Sequence, residues 1–279
     1  MFQTIKCDIA DHIMTIKLQR PDRMNAFNLE MLDDLLAAFD RADEDDNVRV
    51  IIVTGEGRAF CAGADLDNGD QSFTGDVDDD VEFKDSGGIL ALRIYDLKKP
   101  IIAAINGPAV GIGITMTLPM DIRIASTQAK MGFVFCRRGI APEACSGWFL
   151  PRIVGISQAS EWVLTGRVFP AQEALDNRLV SKVVSPEELL PTAQAIAKEI
   201  AENTSATSVA LSRQLLWRML GADHPARSHE IESKMINWSS NQTDAKEGVA
   251  SFFEKRPAEF TLKVSKDMPS FYPWWEKTK

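Results

Sequence analysis

The sequence predicts an α/β domain of repeated β–β–α units, continued by a helical C-terminal region. Two observations lead there. Short β-branched runs, VRVIIVTG at 48–55, PIIAAING at 100–107 and IRIAST at 122–127, alternate with segments whose apolar residues recur at helical spacing. From 186 to 255 helical periodicity is almost unbroken, with interruptions near Asn203–Thr204 and Ala222–Pro225. No low-complexity linker divides the 279 residues, so the expected organisation is a core over 1–200 and a helical region over 201–279.

The elements follow in order. Residues 2–8 and 12–19 alternate like two strands around an Ala10-Asp11-His12 turn. RPDRMNAFN, 20–28, reads as a loop, and Asn28 precedes a helix whose leucines and Phe39 share one face. After the strand at 48–55 comes a loop rich in Gly, Ala and Asp. Residues 70–85 are polar and acidic, and the run Asp78, Asp79, Asp80 lacks the spacing of a calcium loop. A helix is expected near 86–98, then a strand at 100–107, a short helix within 108–121 and a strand at 122–127. Short helices punctuated by Pro and Gly fill 144–179, and VSKVVS at 180–185 adds a strand.

Composition narrows the function classes. A formal net charge of −9 and a pI near 5.0 argue against nucleic acid, whose phosphates need a basic face. Four cysteines, Cys7, Cys61, Cys136 and Cys145, have neither zinc-site nor disulfide spacing, as expected of reduced thiols in a cytoplasmic protein. The N-terminal stretch lacks a signal-peptide core, and no apolar run approaches the roughly 20 residues of a membrane span. Three histidines, His12, His224 and His229, fall in turn-like or polar surroundings that do not suggest catalysis.

Two segments carry candidate chemistry. RAFCAGADL, 58–66, and NGPAVGIGITM, 106–116, each place a glycine-containing turn after a buried strand. Such turns serve either tight packing or the exposure of backbone N–H groups, and two exposed amides brought together can hold a developing oxyanion. A third segment, GIAPEACSGW at 139–148, holds a single acid among small and apolar residues. Pro142 at a first helical position with Glu143 behind it predicts a helix start there.

RPDRMNAF, GRAFCAGADL, INGPAVGIG, DIRIAS and KMGF occur in the order and spacing of the crotonase (enoyl-CoA hydratase/isomerase) superfamily, which the chain resembles over residues 3–260. EGVASFFEKRPAEF, 247–260, resembles the family's closing helix. The resemblance implies a crotonase-like spiral of ββα units, an acyl-CoA thioester substrate, no metal and no separate cofactor, and assembly into a trimer or a hexamer through the helical C-terminal region. It implies an oxyanion hole on the amides of Ala64 and Ile112. It also implies substrate contacts at Arg23, Ala26, Ala62, Gly63, Asp65, Leu66, Gly111, Phe135, Trp148, Phe252 and Lys255, with Arg23 and Lys255 facing the CoA nucleotide.

The acids then choose among reactions. Hydratases of the family carry two glutamates, at positions that here hold Thr115 and Phe135. Glu143 lies in PEACSGW, similar to the PEACSS stretch of peroxisome-type Δ3,Δ2-enoyl-CoA isomerases, where the glutamate is the single base. One carboxylate suffices for a 1,3-proton shift, and an apolar wall of Phe133, Phe135 and Trp148 is expected to raise its pKa. The alternatives are hydration, with Asp65 or Asp67 assisting a water, and a non-turnover acyl-CoA binding protein.

Overall fold

The computed structural model describes residues 2–66 and 83–276. Asp67 and the run Asp78–Asp80 therefore lie outside the described residues.

The chain opens on a hairpin, β1 (Ile5–Ala10) and β2 (Ile13–Leu18). Its turn is shorter than expected: Asp11 and His12, with φ of 49° and 62°, make a two-residue link of the kind that matches strand twist. Next come α1 (Leu29–Glu44), β3 (Val50–Gly55), α2 (Ser86–Asp96) and β4 (Ile101–Ile105). β5 (Ala109–Val110), α3 (Ile112–Thr115), β6 (Ile122–Ser126) and β7 (Lys130–Gly132) follow. The second half holds α4 (Ser146–Val154), α5 (Ile156–Thr165), β8 (Val168–Pro170), α6 (Ala171–Asp176), β9 (Lys182–Val184), α7 (Pro186–Asn203), α8 (Ala206–Met219), α9 (Pro225–Ser240) and α10 (Thr243–Glu254).

A six-stranded sheet in the order β1-β2-β3-β4-β6-β9 forms the spine, parallel except for the first hairpin. Both faces are covered, which is why the strands read as continuous apolar runs. Val50, Ile52, Ile102, Ala104 and Ile124 face Leu189, Ala193, Ala197 and Ala201 of α7. Ile51, Val53, Ile101, Ala103 and Ile105 face the larger core, which includes Met31, Leu35 and Phe39 of α1 and Leu90, Ala91 and Ile94 of α2. α1 starts where predicted, because the Asn28 side chain accepts from the Met31 amide. A second sheet, β5-β7-β8, escapes sequence reading because its strands of two or three residues are too short to show a period.

The first C-terminal helix is tied to the core. Arg213 of α8 is buried, pairs with Asp121 at 2.8 Å and donates to the carbonyls of Ile94, Tyr95 and Leu97 at the end of α2. Trp217 Nε1 donates to the other Asp121 oxygen at 2.6 Å. The boundary expected after residue 200 falls inside the last turn of α7.

Candidate active site

Three loops are laced together by backbone hydrogen bonds. The Phe27 amide donates to Gly63 O at 2.8 Å, Asp65 N to Phe27 O at 2.8 Å, and Ala62 N to Met24 O at 3.1 Å. The Phe60 and Cys61 amides both donate to Pro108 O at 3.1 Å, and Val110 N donates back to Cys61 O at 3.1 Å. RMNAF thus lies along CAGADL, which lies along GPAVG. Gly113 has to be glycine for this approach: a Cβ there would stand 2.0 Å from Cys61 O. Ala64 and Ile112 follow Gly63 and Gly111, and a Cβ added to Gly111 would stand 3.9 Å from Gly63 Cα. Neither the Ala64 nor the Ile112 amide donates to a described backbone or side-chain acceptor. Amides without an internal partner at a loop junction are available to a bound oxygen.

Glu143 sits on the turn between the β7 strand region and α4. The expected helix start at Pro142 is not found. Ala144 and Cys145 take left-handed φ of 55° and 53°, which no helix accommodates, so α4 begins at Ser146. Ser146 closes the turn, its amide donating to Glu143 O at 3.0 Å and its hydroxyl at 2.6 Å. The Thr115 hydroxyl donates to Glu143 Oε1 at 2.5 Å. On another side lies the first turn of α2, where a Cβ on Gly87 would stand 1.6 Å from Glu143 Oε2 and 2.7 Å from Ile112 Cδ1. The carboxyl and the residue bearing the second free amide therefore meet at one point. Burial, opposed by the Thr115 hydrogen bond and reinforced by the nearby Asp85 carboxyl, pushes the Glu143 carboxyl up to about 7.

The three aromatic residues expected around Glu143 each have defined surroundings. Phe133 stacks on Trp162 and Phe169 in the core, with ring centroids 6.1 and 6.3 Å apart. Trp148 packs edge-on against Phe149 at 4.8 Å and under the Arg152 guanidinium at 4.1 Å. Phe135 is buried in a 3-10 turn after β7. The groups found against the carboxyl are Asp85, Gly87, Ile112 and Thr115. The tight turn at Ala144–Cys145 brings the acid against α2 and α3.

Other expected contacts divide into two groups. Ala26, Ala62, Gly63, Asp65, Leu66 and Gly111 lie on the laced loops, and Arg23 is exposed on the 3-10 turn that leads into them. Asp65 is ion-paired to Arg20 at 2.7 Å, and Arg20 also donates to Ala26 O. That pair fastens the loop carrying Ala64 and occupies the carboxylate suggested as a helper for water. Phe252 stands exposed on α10, which packs on α9, and Lys255 is exposed at the cap that ends that helix.

Sequence reasoning passed over Asn25, Arg20, Asp85 and Gly87. Asn25 is fully buried with φ of 55°; its oxygen accepts from Arg20 N at 2.8 Å and its nitrogen donates to Glu56 O and Ala59 O at 2.9 and 2.8 Å. An Asn inside a loop motif is a signal for such side-chain-to-backbone anchoring. Asp85 three residues before Gly88 carries the signal of a helix cap, and only the fold shows that it also faces Glu143.

The sequence profile described as enoyl-CoA hydratase/isomerase matches residues 8–263. An enoyl-CoA hydratase of Alternaria alternata is 44% identical over 253 residues, 90% of this chain and 83% of that protein. The 1,2-epoxyphenylacetyl-CoA isomerase of Escherichia coli is 32% identical over 264 residues, 94% of this chain and 100% of its own. A crystal structure of a probable enoyl-CoA hydratase/isomerase from Mycobacterium abscessus superimposes with a TM-score of 0.87 at 33% identity, covering 93% of this chain and 99% of that one. The match over residues 8–263 and the 44% identical relative show that the chain belongs to the enoyl-CoA hydratase/isomerase family.

Proposed function

We propose that the protein moves the double bond of an enoyl-CoA from C3 to C2 by a 1,3-proton shift, with Glu143 as the single base. The carrying observation is the local chemistry of Glu143. The two hydratase acid positions hold Thr115 and Phe135, and the Thr115 hydroxyl is itself spent as a donor to Glu143. In this reading the Ala64 and Ile112 amides donate to the thioester oxygen. The C2–H bond breaks, its proton passes to Glu143, and negative charge moves onto that oxygen as a dienolate. Glu143 then returns a proton to C4, forming C4–H as the double bond settles at C2–C3. A carboxyl near 7 suits both steps: it is basic enough to accept a carbon acid's proton and acidic enough to give it back. This is the chemistry of the peroxisome-type Δ3,Δ2-enoyl-CoA isomerases that the PEACSGW segment resembles.

Hydration is the second reading. It is favoured by the name of the 44% identical Alternaria relative and by Asp85, a second carboxyl beside Glu143. The test is direct: the purified protein is given a 3-enoyl-CoA and, separately, crotonyl-CoA. Conversion of the first to its 2-enoyl isomer, with little hydration of the second, supports the proposal; efficient hydration with no isomerisation overturns it. The pH dependence follows from the sign of the shift. Glu143 acts as base only when ionised, so kcat/KM is expected to rise with pH through a midpoint of about 7, two units or more above an ordinary glutamate. A rising limb centred near 4.5 contradicts the role.

The same reading includes assembly into a trimer or hexamer. Leu216, Leu220, Ile236, Val249, Phe252 and Phe253 leave apolar surface exposed on α8 to α10 and the turn after α8, and a neighbouring subunit would bring Lys255 toward the CoA nucleotide. Sedimentation equilibrium at micromolar concentration is expected to give a trimer or its multiple; a stable monomer would count against it.

A further inference from the structure

Asp85 caps α2, and its Oδ1 accepts from the Gly88 amide at 2.5 Å. The same oxygen accepts from the Ala144 amide at 3.1 Å. Ala144 N belongs to the peptide that follows Glu143, so one carboxylate oxygen joins the start of α2 to the strained turn that carries the candidate base. The Asp85 carboxyl also stands close enough to Glu143 for its negative charge to raise the affinity of Glu143 for its proton. A carboxylate beside Glu143 favours its protonated form, since two neighbouring negative charges repel. Gly87 completes the arrangement, because any side chain there would occupy the place of Glu143 Oε2.

We propose that Asp85 is a positioning residue for Glu143: it fixes the turn through the Ala144 amide, and its negative charge beside the Glu143 carboxyl favours a proton there. The inference rests on the reading of Glu143 as the proton shuttle and explains how a lone glutamate keeps a proton between C2 and C4 instead of surrendering it to water.

The other groups facing Glu143 do not supply this. Thr115, from α3, brings a neutral hydroxyl that favours the ionised form. Cys145, on the same turn, and Cys61, on the loop after β3, are thiols that burial pushes up, Cys61 to about 12, so neither carries charge near neutral pH. Arg20 lies beyond Cys61 and is engaged with Asp65. Asp85 brings the negative charge that acts on Glu143.

Asp85→Asn keeps the shape and an oxygen for the Gly88 and Ala144 amides. It removes the charge and offers Glu143 an N–H donor, which favours the carboxylate. The decisive readout needs no turnover: ¹³C NMR titration of the Glu143 side-chain carboxyl in protein labelled at glutamate Cδ, its signal assigned by its loss in Glu143→Gln. The midpoint is expected to fall by about one pH unit or more in Asp85→Asn. The rising limb of kcat/KM for a 3-enoyl-CoA should move down by the same amount. Asp85→Ser, which retains a capping oxygen without charge, should shift the titration in the same direction and is read in place of Asp85→Asn if that variant does not fold. An unmoved midpoint in the folded variant overturns the proposal. A midpoint that moves while the wild type isomerises nothing leaves the carboxyl pair standing and removes the proton-shift reading. Isomerisation with an unmoved midpoint does the reverse.

Discussion

Glu143→Gln is expected to lower kcat for isomerisation by at least about a hundredfold, the low end of what a positioned general base contributes, while KM changes little. The substitution is nearly isosteric. Its amide oxygen still accepts from the Thr115 hydroxyl and its nitrogen can donate to Asp85, so the turn at Ala144–Cys145 has no reason to rearrange. In the proposed reading the acyl-CoA is held through the loops, so affinity is expected to survive loss of the base. A second consequence separates a catalytic carboxyl from a structural one. Because folding raises the affinity of Glu143 for its proton, the native state binds more protons than the unfolded one between about 4.5 and about 7. Stability therefore falls as pH rises through that window and is reduced in full above it. Glu143→Gln should melt higher than the wild type at pH 8, with the gap closing as the pH falls toward 4.5. A variant that is inactive but less stable at pH 8 would indicate that Glu143 serves the fold.

The second large effect is expected at Gly113. A methyl there would stand 2.0 Å from Cys61 O and 2.8 Å from its carbonyl carbon, both backbone atoms that cannot rotate aside. Gly113→Ala should push the loop carrying Ala64 away from the one carrying Ile112, so that one oxygen no longer receives both amides. Loss of a single oxyanion donor costs about 2.7–4 kcal/mol of transition-state stabilisation, so kcat/KM should drop by about 10²–10³. Gly147 provides the control, since a Cβ there meets nothing within 4 Å. Equal activity of the two alanine variants would mean that the close approach of the loops does not build the hole.

What was legible in the sequence follows from periodicity and from local turn chemistry. β3, β4 and β6 were readable because both sheet faces are buried, and α1 because Asn28 caps it. The loops carrying Ala64 and Ile112 were readable as glycine turns after buried strands. Glu143 stands out in the sequence as a lone acid, but its neighbours Asp85 and Gly87 do not. A Pro-Glu pair is a sound helix opening until two left-handed residues follow it, and Ala144 and Cys145 are not residue types that announce positive φ. The partners Asp85 and Gly87 stand nearly sixty residues upstream, and no spacing rule connects a helix cap with a distant turn. The small sheet β5-β7-β8 was hidden by strands shorter than any recognisable alternation.

The central claim is that Glu143 carries a proton from C2 to C4 of one acyl chain lying under the Ala64 and Ile112 amides. It is tested most directly with a 3-enoyl-CoA deuterated at C2, its product analysed by mass and by NMR. The account predicts a 2-enoyl-CoA that has gained no water, has lost one deuterium from C2 and bears deuterium at C4 in part of the molecules. A product with a molecule of water added, or a 2-enoyl product with no deuterium at C4 at any time in the reaction, would contradict it.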